Sequence, residues 1–198
     1  TFCTADRIYL KWHKDDANYC REVYCYDLFH RFGVWSAPRA CYTRLSVFVE
    51  GDDKPVYMGV YALIEGMKDS YLRSRVEAGK YTTEDGFLWK ASYGANLSPN
   101  TMTDNNMGVE VAALNPAQSE AYMYDLKTKK KKLTEAREQL KSFVNDMNVL
   151  KSGSAELKAY LESRVDVDLF LRAYAVNVAV GMWDDYWCNM NNYYFYFD

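Results

Sequence analysis

Hydrophobic periodicity changes once along this chain, and that change limits what the chain can fold into. Residues 41–49 and 56–65 alternate apolar and polar side chains with period two, whereas from Leu133 to Val180 apolar residues recur every third or fourth position. The first pattern makes strands with one buried face, and the second makes helices with one buried stripe. Strands with one helix come first and mostly helices follow. That order predicts an α+β class, with a sheet-bearing part over about 1–115 and a helical part over about 116–198.

Local signals fill in this outline. Residues 7–12 (RIYLKW) read as a short strand, broken by Lys14-Asp15-Asp16. An amphipathic helix is expected over 18–32, with Asp16 as N-cap, Cys25, Leu28, Phe29 and Phe32 on one face, and Gly33 as the stop. The sequence GDDKP at 51–55 is the turn of a hairpin. A short helix over 69–76 and a strand over 86–91 (GFLWKA) come next. Residues 92–115, rich in Asn, Thr, Gly and Asp, read as a long surface loop or insertion. Leu133, Ala136, Leu140, Phe143, Val144, Met147 and Leu150 mark one helix, with Thr134 as a candidate N-cap. Residues 152–154 (SGS) end it and cap the next helix, and Asp166 or Asp168 opens a third.

With 198 residues and 49% hydrophobic content, the chain can build one sizeable core or a large part of a domain. A formal net charge of −3, with Lys and Arg dispersed, gives no concentrated basic face, so no nucleic-acid partner is expected. The KTKKKK run at 127–132 reads as a solvated connection. The five cysteines show no CxxC pair, and they read as small buried hydrophobes. No apolar run has transmembrane length, and no signal peptide or lipidation motif is present. The chain opens at Thr1 without an initiator Met and stops at Asp198 inside a strand-like stretch, so it reads as an excerpt of a longer protein.

Most familiar catalytic patterns are missing. There is no nucleophile elbow beside His13 or His30, no GxGxxG or Walker A sequence, and no His/Cys/carboxylate cluster at metal-site spacing. What remains is an acidic and Asn-rich segment between a hydrophobic helix and an aromatic strand: Gly181, then Asp184 and Asp185, then Asn189, Asn191 and Asn192, then residues 193–196. Phosphoryl transfer needs a carboxylate beside the incoming hydroxyl and an oxygen ligand for Mg²⁺ beside the phosphates. Asp184 and Asn189 have the D-x-x-x-x-N spacing that lets one rigid loop hold both. The spacing alone fits an ordinary structural turn as well.

The stretch AVNVAVGMWDDYWCNMNNYYFYFD (175–198) resembles the signature of the CotH kinase family, first known from spore coat proteins: a helix, then G-N-x-D or a variant, then N-x-N-N-Y-Y-x-Y. Two upstream stretches are similar to the family in the same order. These are the helix-bearing REVYCYDLFHRFGVWSAPR (21–39) with a hairpin ending in G-x-Y-x-L-x-E, here Gly59 to Glu65, and an L-Y-K-like strand end, here Leu88-Trp89-Lys90. The resemblance implies a divergent protein-kinase-like fold, an N-lobe bearing the sheet, a mostly helical C-lobe with a catalytic loop over 181–192, and transfer of the γ-phosphoryl group of ATP, with Mg²⁺, to Ser of a Ser-rich protein substrate.

Carried over residue by residue, the resemblance makes Asp184 the catalytic Asp and leaves Asp185 to cap the loop. Asn189 fits the kinase-like spacing for the metal ligand, Asn192 fits the N-Y-Y element, and Asn191 ranks third. For the nucleotide phosphates two Lys–Glu pairs are candidates, Lys11 with Glu22 and Lys90 with Glu65. Trp183 and Trp187 pack the loop or shape a substrate mouth. Met182 stands where the family more commonly has Asn, and the family's second metal-binding Asp is expected beyond Asp198. The chain as given is therefore expected to be inactive. A spore-coat, cell-surface or extracellular setting follows from the same resemblance. The alternatives are a catalytically silent binding module of the same family and, more remotely, a glycoside hydrolase using Asp184 with Glu65 or Glu110.

Overall fold

In the first strand, β1 (Ile8–Lys11), every residue is exposed, so its place is set by backbone pairing and not by burial. The computed structural model describes residues 5–198. β1 lies antiparallel to β3 (Val56–Glu65), which also pairs with β2 (Ala40–Val47), giving the order β1-β3-β2. Gly59 sits opposite Leu45, where the β2–β3 register shifts, with φ +109°, a backbone conformation that side chains rarely tolerate. One sheet face carries the buried Ala62 and Ile64.

Helix α1 (Arg21–Arg31) starts three residues later than expected. Asp16 is the reason: its carboxylate accepts from the backbone N–H of Asn18 (3.2 Å) and Arg21 (2.7 Å), while Tyr19 takes a left-handed φ of 54°. Asp16 thus caps across a turn, with Cys20 in the N-cap position, and the Arg21 N–H holds its pKa below the usual carboxylate value. Helix α2 (Asp69–Glu77) is tied to the segment before β1 by reciprocal bonds between Asp6 and Ser70. These elements make up the first compact unit, which ends at Lys80.

The second unit runs from Tyr81 to Asp198. Its sheet has the order β5-β6-β4-β7, from β4 (Phe87–Ala91), β5 (Met107–Gly108), β6 (Tyr124–Leu126) and β7 (Tyr194–Phe197). β4 and the segment 92–115, read from sequence with the sheet-bearing first half, thus lie in the unit that also holds the C-terminal helices. Strand adjacency caused this: β4 bonds to β6 and β7, and neither pairing leaves a local signal. The 92–115 segment is more than a surface loop, because Ala95, Met102 and Met107 are buried in the same core as Trp89, Tyr124 and Leu126.

Helix α3 (Leu133–Val149) covers this core with Ala136, Leu140 and Val144, one turn apart on one face and all fully buried. It begins one residue before Thr134, with Lys132 in the N-cap position. Ser154 caps α4 (Ala155–Arg164) through Leu157 N–H, and Asp166 caps α5 (Val167–Ala179) through Leu169 N–H. In the lysine run, Lys127, Lys129 and Lys132 pair with acids, namely Asp125 and Glu110, Asp85, and Glu135. The cysteine reading needs correcting: Cys20 and Cys188 are exposed, and Cys25 and Cys41 are half-buried. Cys3 lies outside the described residues. No described helix is long and apolar enough to cross a membrane.

Candidate functional site

The loop after α5 is built on a helix stop. Gly181 takes φ 68°, its N–H donates to Val178 O (3.2 Å), and Met182 N–H donates to Asn177 O (2.8 Å). That pair of bonds is a Schellman cap, and it turns the chain sharply away from the helix. Backbone bonds then close the loop on itself, from Asn189 N–H to Trp183 O (3.2 Å) and from Asn191 N–H to Asp185 O (2.9 Å). Two more hold it to the end of β4 and the turn after it, from Ala95 N–H to Met190 O (3.0 Å) and from Ala91 N–H to Tyr193 O (2.8 Å). Met190 and Asn192 both have left-handed backbone, φ 52° and 51°. Asn suits that region; Met does so far less readily, and such outliers concentrate where a loop must hold a set shape.

Aromatic rings support the loop from below. Tyr186 contacts Phe170 of α5 and Tyr193 edge to face, with centroids 6.3 and 5.1 Å apart, and Trp187 meets Tyr174 in the same way at 5.6 Å. Burial raises the Tyr186 and Tyr193 hydroxyl pKa values above the ordinary tyrosine value. Trp187 packs with its outer part exposed, while Trp183 is 67% exposed.

Three carboxamides converge on Asp184. Its Oδ1 accepts from Asn189 Nδ2 (3.3 Å) and Asn191 Nδ2 (2.8 Å), and its Oδ2 accepts from Asn192 Nδ2. Both metal-ligand candidates, and the third-ranked Asn191, therefore surround the same carboxylate. A carboxylate offers about four acceptor positions, so one remains on Oδ2. Asp185 faces the other way. It is 6% exposed and its Oδ1 accepts from the N–H groups of Trp187 (3.2 Å) and Cys188 (3.3 Å), which is a turn-capping arrangement.

The donor set suits a hard cation. Carboxylate and carboxamide oxygens are ligands for Mg²⁺, which keeps several waters and takes one or two protein groups plus substrate phosphates. With each Nδ2 turned to Asp184, the Oδ1 atoms of Asn189 and Asn192 are directed away from it. Among the described residues no group of three or more His, Cys, Asp or Glu is placed to hold a metal ion.

The lysine and glutamate candidates separate. Lys11 of β1 and Glu22 of α1 form an ion pair from strand to helix, with side chains 53% and 29% exposed. Lys90 of β4 sits between Asp125 and Tyr194 on the neighbouring strands. Glu65, paired with Lys90 in the sequence reading, has other partners. Its carboxylate takes Arg75 Nη1 (2.9 Å) and Nη2 (2.8 Å), Arg39 Nε (3.1 Å) and Nη2, and the Arg39 N–H (3.1 Å). Those five donors exceed its acceptor positions and leave none for a lysine. Burial works to raise the Glu65 pKa, but the hydrogen bonds from Arg75 and Arg39 outweigh it and hold the carboxyl below its ordinary value. Sequence reasoning missed both arginines, since Arg39 lies 26 and Arg75 10 residues from Glu65. Arg39 closes the family-like stretch 21–39, whereas Arg75 lies outside every such stretch and left no signal.

A family model described as CotH kinase protein matches residues 1–198, the whole chain. No curated protein matches the chain.

Proposed function

The chain belongs to the CotH kinase family, and from that premise we propose that it serves an atypical protein kinase, with Asp184 as the catalytic base toward a Ser hydroxyl of a Ser-rich protein. A family of this kind suggests use of ATP and a divalent metal in general. The observation that carries the assignment to this loop is the convergence of Asn189, Asn191 and Asn192 on Asp184. Three amides fix the carboxylate's rotamer and leave one acceptor position, which is the geometry a general base needs to take a proton from an aligned hydroxyl.

In this reading Asn189 and Asn192 turn their carbonyl oxygens to Mg²⁺, which when bound would neutralise phosphate charge. Lys11, oriented by Glu22, meets the nucleotide phosphates, with Lys90 the second candidate for that contact. Glu65 anchors the first unit's strand and helix. The two-lobed kinase arrangement is part of the same proposal.

The test is phosphate transfer from labelled ATP to a Ser-rich protein by the parent protein that carries this chain. Asp184→Ala should abolish incorporation, and Asn192→Ala should reduce it and raise the Mg²⁺ requirement. Undiminished incorporation by the Asp184 variant would remove that residue from the mechanism. A melting temperature indifferent to saturating Mg-ATP would favour the silent binding module.

A further inference from the structure

The first unit carries an open pocket of about 350 Å³ that the kinase reading does not use, lined by His30, Trp35, Arg39, Ser74, Arg75 and Lys80 among others. Arg39 and Arg75, the two partners of Glu65, are part of that lining. Arg75 is 6% exposed and committed there through both Nη atoms: besides Glu65, its Nη1 donates to Ser74 Oγ (2.8 Å) and its Nη2 to Ala37 O (2.9 Å), while its guanidinium lies 4.3 Å from the centre of the Tyr71 ring. Arg39 is less committed. It meets Glu65 through Nε and Nη2, leaving the Nη1 edge, and its side chain is 37% exposed. Lys80 stands at the rim on an exposed backbone whose N–H is fixed to Arg75 O (2.8 Å).

The charges do not balance. Two guanidinium groups and one ammonium line the pocket, and the carboxylate bonded to the guanidinium groups, Glu65, is already saturated by them, so the pocket keeps an excess of positive charge. His30 adds a ring whose Nε2 lies 3.2 Å from Pro38 O. Donation to that carbonyl keeps Nε2 protonated and turns Nδ1 elsewhere. Trp35 and the Ala78 methyl supply an apolar wall. A cationic lining, an ammonium at the rim and an apolar side wall form a receptor for a tetrahedral oxyanion on a short organic stem.

We propose that this pocket binds a phosphoryl group, with Arg39 and Lys80 as its direct contacts and Arg75 as the positioning residue that holds Arg39 through Glu65. The group could arrive on a phosphoserine side chain, which would make the site a docking point for already phosphorylated protein, or as free phosphate. The proposal does not rest on the kinase reading of Asp184.

The test is an NMR titration of the whole chain, without nucleotide or Mg²⁺, with inorganic phosphate, a short phosphoserine peptide and the same peptide bearing Ser. The His30 ring and Trp35 indole signals should shift saturably with the first two and not with the third. Lys80→Gln, at an exposed position outside the buried cluster, should weaken binding by roughly tenfold, the loss of one charge-assisted contact. Arg39→Gln should abolish it. Tighter binding of the peptide than of phosphate would identify phosphoprotein as the source, and equal binding would identify the free anion. Absence of a saturable shift at these two rings, or unchanged affinity in Lys80→Gln, would overturn the proposal. Phosphate transfer in the Asp184 assay would be untouched by either failure, so the two readings fall separately.

Discussion

At the scale of single residues, the most exacting position is Glu65. It is 1% exposed, and two arginines and a backbone N–H are aimed at it. Removing one member of a buried ionic cluster leaves the others unpaired, at a cost of about 3–5 kcal/mol. Glu65→Gln should therefore destabilise the first unit by that order, read from its melting curve, whereas Lys11→Gln, which breaks an exposed pair, should cost about 1 kcal/mol or less. Gly86 is demanding in another way. A Cβ there would lie 1.9 Å from the Phe197 carbonyl oxygen, next to the first pair of the β4–β7 ladder. Gly86→Ala cannot be absorbed by a side-chain rotation, so β7 must move. A loss of about 2–4 kcal/mol is expected in denaturant unfolding, in the range of severe steric substitutions.

At the scale of elements, the sequence was most legible where the pattern was long and locally determined. The second hairpin strand has the bounds read from its alternation, Val56–Glu65, and Ser154 and Asp166 cap the helices they were expected to cap. It was least legible where a partner far along the chain decides the structure. β6 is three residues long and owes its existence to Trp89, Lys90 and Ala91 across the ladder. The start of α1 was set by one side chain reaching five residues ahead. The candidate loop was legible as a set of residues, because Asp and Asn cluster in one short stretch, but not as an arrangement. No spacing rule says that all three asparagines turn to Asp184 and that Asp185 turns inward. Elements also differ in how much they rest on burial. Leu140 is fully buried in the middle of α3, so Leu140→Ala should cost about 2–5 kcal/mol, while Leu171→Ala, at a position 55% exposed on α5, should cost well under half as much by the same urea titration.

At the scale of the whole molecule, the two units carry titrating groups of opposite tendency. In the first, the Glu65 pKa is depressed below its ordinary 4.5 in the folded state. A depressed carboxylate contributes stability that is complete above the unfolded value and is lost as pH falls through the folded one, so acid should weaken this unit. The depressed carboxylates of the second unit, Asp85, Asp104 and Glu110, have exposed side chains, and solvent screens their ion pairs. Tyrosines dominate there instead. Burial pushes Tyr196 up to about 12, with the Asp198 charge adding to it, although the Gly86 N–H bond opposes the shift, and burial raises Tyr193 as well. A raised phenol holds its proton longer folded than unfolded, so its contribution is complete below about 10 and fades as pH climbs toward the folded value. Trp35 in the first unit and the fully buried Trp89 in the second give each its own reporter. The Trp35 indole signal should collapse first on acidification and the Trp89 signal first on raising the pH. Glu65→Gln should reduce the acid sensitivity at Trp35, with the depressed carboxylate Asp16 left in place, and leave the alkaline transition at Trp89 unchanged. Simultaneous loss of both signals at each extreme would show that the two sets of groups do not act on separate units.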